Sequence, residues 1–299
     1  MNNMEQSFTT IQEARQWASL FLKEHQREPG VADWLLEHHL NMSYTQLMAY
    51  GRDPFPHEKK DSFVADIYKH TETGIPVQHL IGEAEFYGRR FDVNADVLVP
   101  RPETEELVEG VLRFIEKNGL TSEYLKVVDL GTGSGAIACT LSLELEHMDV
   151  YATDISSQAL GTATHNAHQL GAKVNFYQGD FLAPVAGEAI DIIVSNPPYI
   201  SHAELKELSD TVVQFDPHLA LFADAEGLAA YHTIVSQIKS YHLTPMLIAC
   251  EIGHLQGESV KEIIETGLPG YHAEVRSDIN GKPRMVFAYS KTSVKSPDY

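Results

Sequence analysis

The spacing of apolar positions changes along the chain. Up to about residue 75 they recur at helical intervals: Ile11, Ala14, Trp17, Ala18, Phe21 and Leu22, then Val31, Trp34 and Leu35, then Phe63, Val64 and Ile67. Each set puts one apolar stripe on a helix, which predicts a small helical domain over residues 1–80. Within it Ser43 stands as a cap ahead of a further helix, and Arg52 to Lys60 reads as a charged loop broken by Pro54 and Pro56. Around Gly88 the pattern becomes two short extended runs, ending at Phe86-Tyr87 and Arg90-Phe91. These predict a hairpin bridging the two halves of the chain within residues 81–100.

From residue 101 to residue 290 short apolar runs alternate with helical stretches. Pro102, Glu103 and Glu105 supply helix-start signals ahead of Leu107, Val108 and Val111. The runs from Val127 to Leu130, Val150 to Thr153, Val174 to Tyr177, Ile190 to Val194 and Met246 to Ile252 then imply an α/β domain, a mostly parallel sheet with helices on both faces. His272 to Val275 and Met285 to Tyr289, separated by the turn Asn280-Gly281-Lys282-Pro283, add two late strands. The tail 291–299 is expected to be disordered.

Composition narrows the class. With 299 residues and 43% hydrophobic content the chain can bury a sizeable core and divide into two domains. No run approaches the roughly 18 apolar residues of a membrane helix, and the first residues lack a signal peptide's basic and apolar regions, so a cytoplasmic protein without a membrane partner is expected. The two cysteines, Cys139 and Cys250, match no metal spacing and read as buried thiols. His38-His39 and His165/His168 do not form a ligand set, and no metal is expected. The formal charge of −20 argues against a wide phosphate-binding surface, hence against direct nucleic-acid binding.

Candidate chemistry gathers at the ends of the expected strands. Asp129-Leu130-Gly131-Thr132-Gly133-Ser134-Gly135-Ala136 lies where a first strand turns into a helix, with glycines that let a ligand approach the backbone. Asp154 ends the second strand, 23 residues after Gly131, a fitting separation for a carboxylate that accepts both ribose hydroxyls of an adenosine. At the third strand end Asp180 could take an adenine amino group and Phe181 could stack on the ring. A nicotinamide dinucleotide and S-adenosylmethionine both satisfy this set. The fourth strand ends in Asn196-Pro197-Pro198-Tyr199, where neither proline has an N–H to donate to a sheet. Such a sequence suits a planar amine: the Asn196 side chain and the Pro197 carbonyl each accept one N–H, and Tyr199 covers the flat face.

Taken together these residues resemble the protein-glutamine N5-methyltransferases that modify peptide chain release factors, the HemK/PrmC family. The resemblance extends through Gly74 to Gly82, Glu85-Phe86-Tyr87-Gly88, Val99-Pro100-Arg101-Pro102-Glu103-Thr104-Glu105, Asp129 to Ala136, Asn196 to Tyr199 and Glu251-Ile252-Gly253. The glycine loop and Asn-Pro-Pro-Tyr are shared with other amino-methyltransferases, whereas the Pro-Arg-Pro-Glu-Thr-Glu run is more specific. The resemblance implies a seven-stranded Rossmann-like S-adenosylmethionine-dependent methyltransferase domain behind a small helical docking domain and a bridging hairpin. It further implies that Gly131, Thr132, Gly133, Ser134, Gly135, Asp154 and Phe181 hold S-adenosylmethionine, and the strand-end residues Asp129, Asp180 and Asn196 are expected to join them. Asn196, Pro197, Pro198 and Tyr199 would hold a glutamine of a release factor and serve its methylation. Family members often carry tryptophan where Phe181 stands and Glu-Pro where this chain has Asp216-Pro217; the roles of Arg101, Glu103 and Asp216 stay open.

Two other classes compete. A DNA or RNA amino-methyltransferase would present an exocyclic base amine to the same pocket after base flipping, and the −20 charge counts against it. A nicotinamide dehydrogenase or a non-catalytic nucleotide-binding protein would use Gly131 to Ala136 but leaves Asn196 to Tyr199 unexplained.

Overall fold

A computed structural model of the chain describes residues 8–201, 215, 217–221 and 223–291. The described residues fall into two compact units, the first comprising the residues up to Gly82 together with Phe215 and the second the remainder. Asp216 and residues 292–299, on which two of the expectations fall, lie outside them.

The first unit is helical, with helices Ile11–Glu24, Val31–Leu40, Tyr44–Ala49, His57–Thr73 and Val77–Ile81. Its start signals are local. Thr10 with Glu13 and Ser43 with Gln46 form capping boxes, each satisfying amide groups that the first helical turn leaves without partners. Ile11, Ala14, Ala18, Leu22, Leu35, Leu36, Phe63 and Ile67 form the core. Two details differ from the sequence reading. Trp34 is 48% exposed, because Val31, Ala32, Leu35 and Leu36 form the buried stripe of its helix and leave position 34 off that face. The charged loop is shorter than expected: Pro56 caps a helix that already includes His57 to Lys60, where Glu58 in the first turn suits the positive helix end.

The second unit opens with an antiparallel hairpin, β1 (Glu83–Phe86) and β2 (Arg89–Asp92). Tyr87 and Gly88 both have positive φ, 50° and 69°, the backbone a two-residue hairpin turn requires. Expected as a connector, the hairpin packs inside this unit: Phe86 and Phe91 are fully buried against Leu107, Val108 and Val111 of the helix Pro102–Lys117. The main sheet contains β3 (Leu125–Leu130), β4 (Met148–Asp154), β5 (Val174–Gln178), β6 (Ile192–Ser195), β7 (Leu247–Glu251), β8 (Tyr271–Ser277) and β9 (Pro283–Ser290). They lie in the order β5-β4-β3-β6-β7-β9-β8, parallel from β5 to β7, with β9 antiparallel to both neighbours. The two sheet faces bury separate apolar clusters, one around Val127, Ile192 and Phe287 and the other around Val128, Ile193 and Ile248. The chain runs outward from β3 through β4 to β5, then returns to place β6 on the other side of β3. A crevice at the carboxyl ends of β3 and β6 follows from that reversal.

Candidate active site

The strand register aligns the site. Leu130 pairs with both Thr153 and Ser195, and Ser195 pairs with Cys250. The next residues, Asp154, Gly131, Asn196 and Glu251, therefore stand in one row along the carboxyl edge of the sheet.

Gly131 and Thr132 donate their amides to the Thr153 carbonyl at 2.8 and 3.0 Å, which folds the glycine loop back over β4. Gly131 (φ 70°) and Gly133 (φ 55°) leave open the space that a Cβ would fill, with no atom of the described residues within 4 Å of it. Gly135 is different: a Cβ there would meet Ala163 at 3.0 Å, so this glycine serves the close packing of the helix Ser157–Leu170. Asp129 lies within β3 rather than at its tip and is fully buried. Its Oδ2 accepts the Thr132 hydroxyl at 2.6 Å and the Ala138 amide at 3.2 Å, which braces the loop from below. Its Oδ1 has no partner among the described residues, and burial pushes the carboxyl pKa up to about 7.

Asp154 receives the Gly133 amide on Oδ2 and the Ser156 amide on Oδ1, both at 2.9 Å. A carboxylate has about four lone-pair positions, so each oxygen can accept once more. Asp180 follows β5 by two residues, with Gly179 held to the Asp154 carbonyl at 2.9 Å. Gln237 fastens this turn: its Nε2 donates to Asp180 Oδ2 at 3.2 Å and its Oε1 accepts the Leu182 amide at 2.7 Å. Phe181 between them takes a positive φ of 44°, unusual for an aromatic residue and held by these flanking bonds.

One cleft joins these groups. Gly131, Thr132, Gly133, Ser134, Asp154, Asp180, Phe181, Asn196 and Pro198 line it, with Ile155, Thr104 and Leu219 in its walls. Asp129, Gly135, Pro197 and Tyr199 are not among the residues that line it. Pro197 is buried, and burial raises the Tyr199 hydroxyl pKa well above the ordinary tyrosine value, so it stays protonated.

Behind Asn196 lies a network that sequence reasoning missed. Asn196 Nδ2 donates to Thr104 Oγ1 at 3.2 Å, and the Thr104 hydroxyl donates to Glu251 Oε2 at 2.7 Å. The Tyr199 hydroxyl reaches Glu251 Oε1 at 3.4 Å, while Tyr231 donates its hydroxyl to the Glu251 carbonyl at 2.8 Å. Glu251 is 3% exposed, and burial pushes its pKa up to about 7 against the opposing pull of the Thr104 bond and the Arg284 charge. Thr104 and Glu251 both sit in motifs that the sequence reading quoted without a role. The available signal was an acid closing the wholly apolar run of β7, beside the strand that ends in Asn196. Gln256 completes the setting: Nε2 donates to the Tyr199 carbonyl at 2.8 Å and Oε1 accepts the Gly253 amide at 3.0 Å.

Comparison with known proteins bears on both units. A family model described as the PrmC N-terminal domain matches residues 13–82, and one described as the methyltransferase small domain matches residues 111–215. The release factor glutamine methyltransferase of Bacillus cereus is 44% identical over 280 residues, 93% of this chain and 98% of that protein. Its namesake in Bacillus subtilis is 44% identical across 93% of this chain and 97% of its own length. That of Enterococcus faecalis is 37% identical across 92% and 98% respectively. Among solved structures, the hMettl16 catalytic domain in complex with MAT2A 3′UTR hairpin 1 superposes with a TM-score of 0.55 over 83% of this chain and 86% of that one, at 15% identity. That likeness is one of fold.

Proposed function

The chain belongs to the release factor glutamine methyltransferases, S-adenosylmethionine-dependent enzymes, and from that premise we propose that it methylates the side-chain amide nitrogen, N5, of the glutamine in the Gly-Gly-Gln motif of a peptide chain release factor. The observation that carries this reading is Asn196, in the cleft wall with its amide nitrogen already engaged by Thr104, which leaves its oxygen to accept from a substrate N–H.

The cleft has the donor and acceptor chemistry that S-adenosylmethionine needs. Gly131 and Gly133 leave space where side chains would stand, Asp154 keeps acceptor capacity for two ribose hydroxyls, and Asp180, Ile155 and Phe181 offer a carboxylate and apolar surface to an adenine. When bound, the cofactor supplies an electrophilic methyl group carried on a sulfonium.

The chain's own task is to make a poor nucleophile react. An amide nitrogen has its lone pair delocalised into the carbonyl, so position and electrostatics must supply the rate. Asn196 Oδ1 and the Pro197 carbonyl each accept one N–H of the substrate amide, which fixes its plane and keeps electron density on nitrogen. Both acceptors gain strength as positive charge develops on that nitrogen, so they favour the transition state over the ground state. Tyr199, protonated, covers the flat face as a neutral ring. No strong base is required, because an N-alkylated amide cation is acidic enough to release its proton to water.

Gly-Gly ahead of the target suits a narrow cleft, since residues without side chains let a loop extend its one amide inward. The charge of −20 disfavours a polyanionic partner. A protein substrate of translation also fits a cytoplasmic enzyme, and among the described residues no helix is long and apolar enough to cross a membrane.

The test is incubation with methyl-labelled cofactor and, separately, a release factor, its Gln→Asn variant, and duplex or single-stranded DNA and RNA. Label is expected only on the unaltered protein, as one added methylene on the Gly-Gly-Gln peptide. Efficient labelling of nucleic acid with none on the release factor would overturn the reading in favour of a base amine.

A further inference from the structure

We propose that Thr104 and Glu251 are positioning residues that set which end of the Asn196 side-chain amide faces the substrate. The inference rests on the reading above, in which Asn196 Oδ1 accepts an N–H of the substrate amide.

The two ends of an asparagine amide have nearly the same shape and opposite hydrogen-bonding character. Turned one way, Asn196 offers an acceptor to an incoming –NH2 group; turned the other way it offers a donor and repels it. The cleft wall alone does not choose between them. The choice is made by a chain of bonds running from Asn196 through Thr104, itself in the cleft wall, to Glu251 behind it, and with Glu251 ionised its direction has one consistent solution. An ionised Glu251 is acceptor-only, so the Thr104 hydroxyl 2.7 Å from Oε2 must spend its single proton there. Thr104 Oγ1 then has only lone pairs left for Asn196, and the Asn196 atom 3.2 Å away must be the amide nitrogen. Oδ1 is the end left for the cleft.

The partners are held accordingly. Thr104 is 5% exposed, in the first turn of the helix Pro102–Lys117, and Glu251 closes β7 in register beside Asn196. Tyr231 fixes the Glu251 backbone through its carbonyl, and Tyr199 approaches the other carboxylate oxygen. Burying a carboxylate this fully is costly unless its bonds are used, and here they impose a direction on a neighbour that touches substrate. Glu251 does not line the cleft, and Thr104, which does, acts on the reaction through its bond to Asn196.

The experiment uses the full chain with a release factor as substrate. Thr104→Val keeps the side-chain shape and removes the hydroxyl; Thr104→Ala removes it with less bulk, should the valine variant not fold; Thr104→Ser restores it. In either hydroxyl-free variant kcat is expected to fall on the order of 100-fold, with KM and cofactor affinity changed only a few-fold, and serine is expected to recover most of the loss. A residue that only packed would shift thermal stability and leave kcat alone. Asn196→Ala is measured in parallel. If it abolishes turnover while a folded Thr104→Val or Thr104→Ala variant turns over like the parent, the positioning role is overturned and the reading of Asn196 stands. If Asn196→Ala itself turns over like the parent, the reading of Asn196 fails and the positioning role fails with it.

Discussion

Asp154 accepts the Gly133 amide at 2.9 Å, so the acid closing β4 and the glycine loop following β3 are one hydrogen-bonded assembly before any ligand arrives. Asp154→Ala should therefore harm cofactor binding twice, by removing a charged acceptor for the ribose hydroxyls and by releasing the loop. The first effect alone is worth about 1.5 to 3 kcal/mol, or roughly 10- to 100-fold in Kd. Asp154→Asn keeps one acceptor oxygen and should lose less. Calorimetric titration with S-adenosylmethionine decides; unchanged affinity in the alanine variant would remove Asp154 from the cofactor site.

Asn196 gives a sharper case. From sequence alone Asn196→Asp is expected to retain more activity than Asn196→Ala, because aspartate keeps an acceptor of the same shape. The hydrogen bonds behind position 196 remove that advantage. Thr104 Oγ1 has spent its proton on Glu251 and needs a donor from position 196, which a carboxylate lacks. Both Asn196→Ala and Asn196→Asp should lose about 3 to 4 kcal/mol of transition-state stabilisation, with cofactor affinity held within a few-fold. Turnover of the aspartate variant near the parent value would show that Asn196 acts through its acceptor oxygen alone.

The architecture and the row of strand ends were legible because period and strand-end chemistry are local signals. Alternating runs gave the parallel sheet, and Asp154 and Asn196 fell where β4 and β6 stop. What stayed hidden depends on partners far apart in the chain. Thr104 and Glu251 are separated by 147 residues and meet only through the packing of the helix Pro102–Lys117 on β7. Asp129 resembles its neighbours at the strand ends, yet the register sets it opposite Ala152, two residues short of Asp154, and that offset places it under the loop instead of in the cleft. Gly135 likewise shares a motif with Gly131 and Gly133 but answers to Ala163. Residue type shows that a glycine or an acid is needed, and only the fold shows what each one faces.

Gly227 tests how the Tyr199 end of the motif is seated. It has a φ of 83°, and a Cβ added there would lie 2.1 Å from the Tyr199 carbonyl oxygen and 2.5 Å from Gln256 Nε2. Those two atoms form the 2.8 Å bond that holds the carbonyl. Gly227→Ala must therefore displace backbone rather than a loose side-chain end, and about 1 to 3 kcal/mol of destabilisation is expected. Turnover should fall as Tyr199 shifts, with cofactor affinity little affected. Urea denaturation together with kinetics reads both effects, and a variant as stable and active as the parent would show that this close approach relaxes freely.

Glu251 should make stability and activity respond to pH in opposite directions. Its carboxyl is raised by burial from 4.5 to about 7, with Thr104, Arg284 and Tyr199 favouring the charged form and Glu103 opposing it. A carboxyl whose pKa is higher folded than unfolded holds its proton in the native state where the unfolded chain has released it. Its contribution is fully present below pH 4.5 and is lost as pH rises through about 7, a change on the order of 3 kcal/mol. Asp129, raised to about 7, slopes the same way. Glu251→Gln removes the Glu251 slope and keeps that of Asp129. The stability of the variant relative to the parent should therefore climb between pH 5 and 7 and level off above. Turnover should move the other way in the parent, because only ionised Glu251 obliges Thr104 to donate to it, so kcat should rise through an apparent pKa near 7. Urea midpoints of both proteins from pH 5 to 8, with kcat of the parent at saturating substrate and cofactor, measure the two arms. A variant-to-parent difference that stays flat or falls with pH would show that Glu251 is not held protonated by burial, and a pH-independent kcat would separate its ionisation from catalysis.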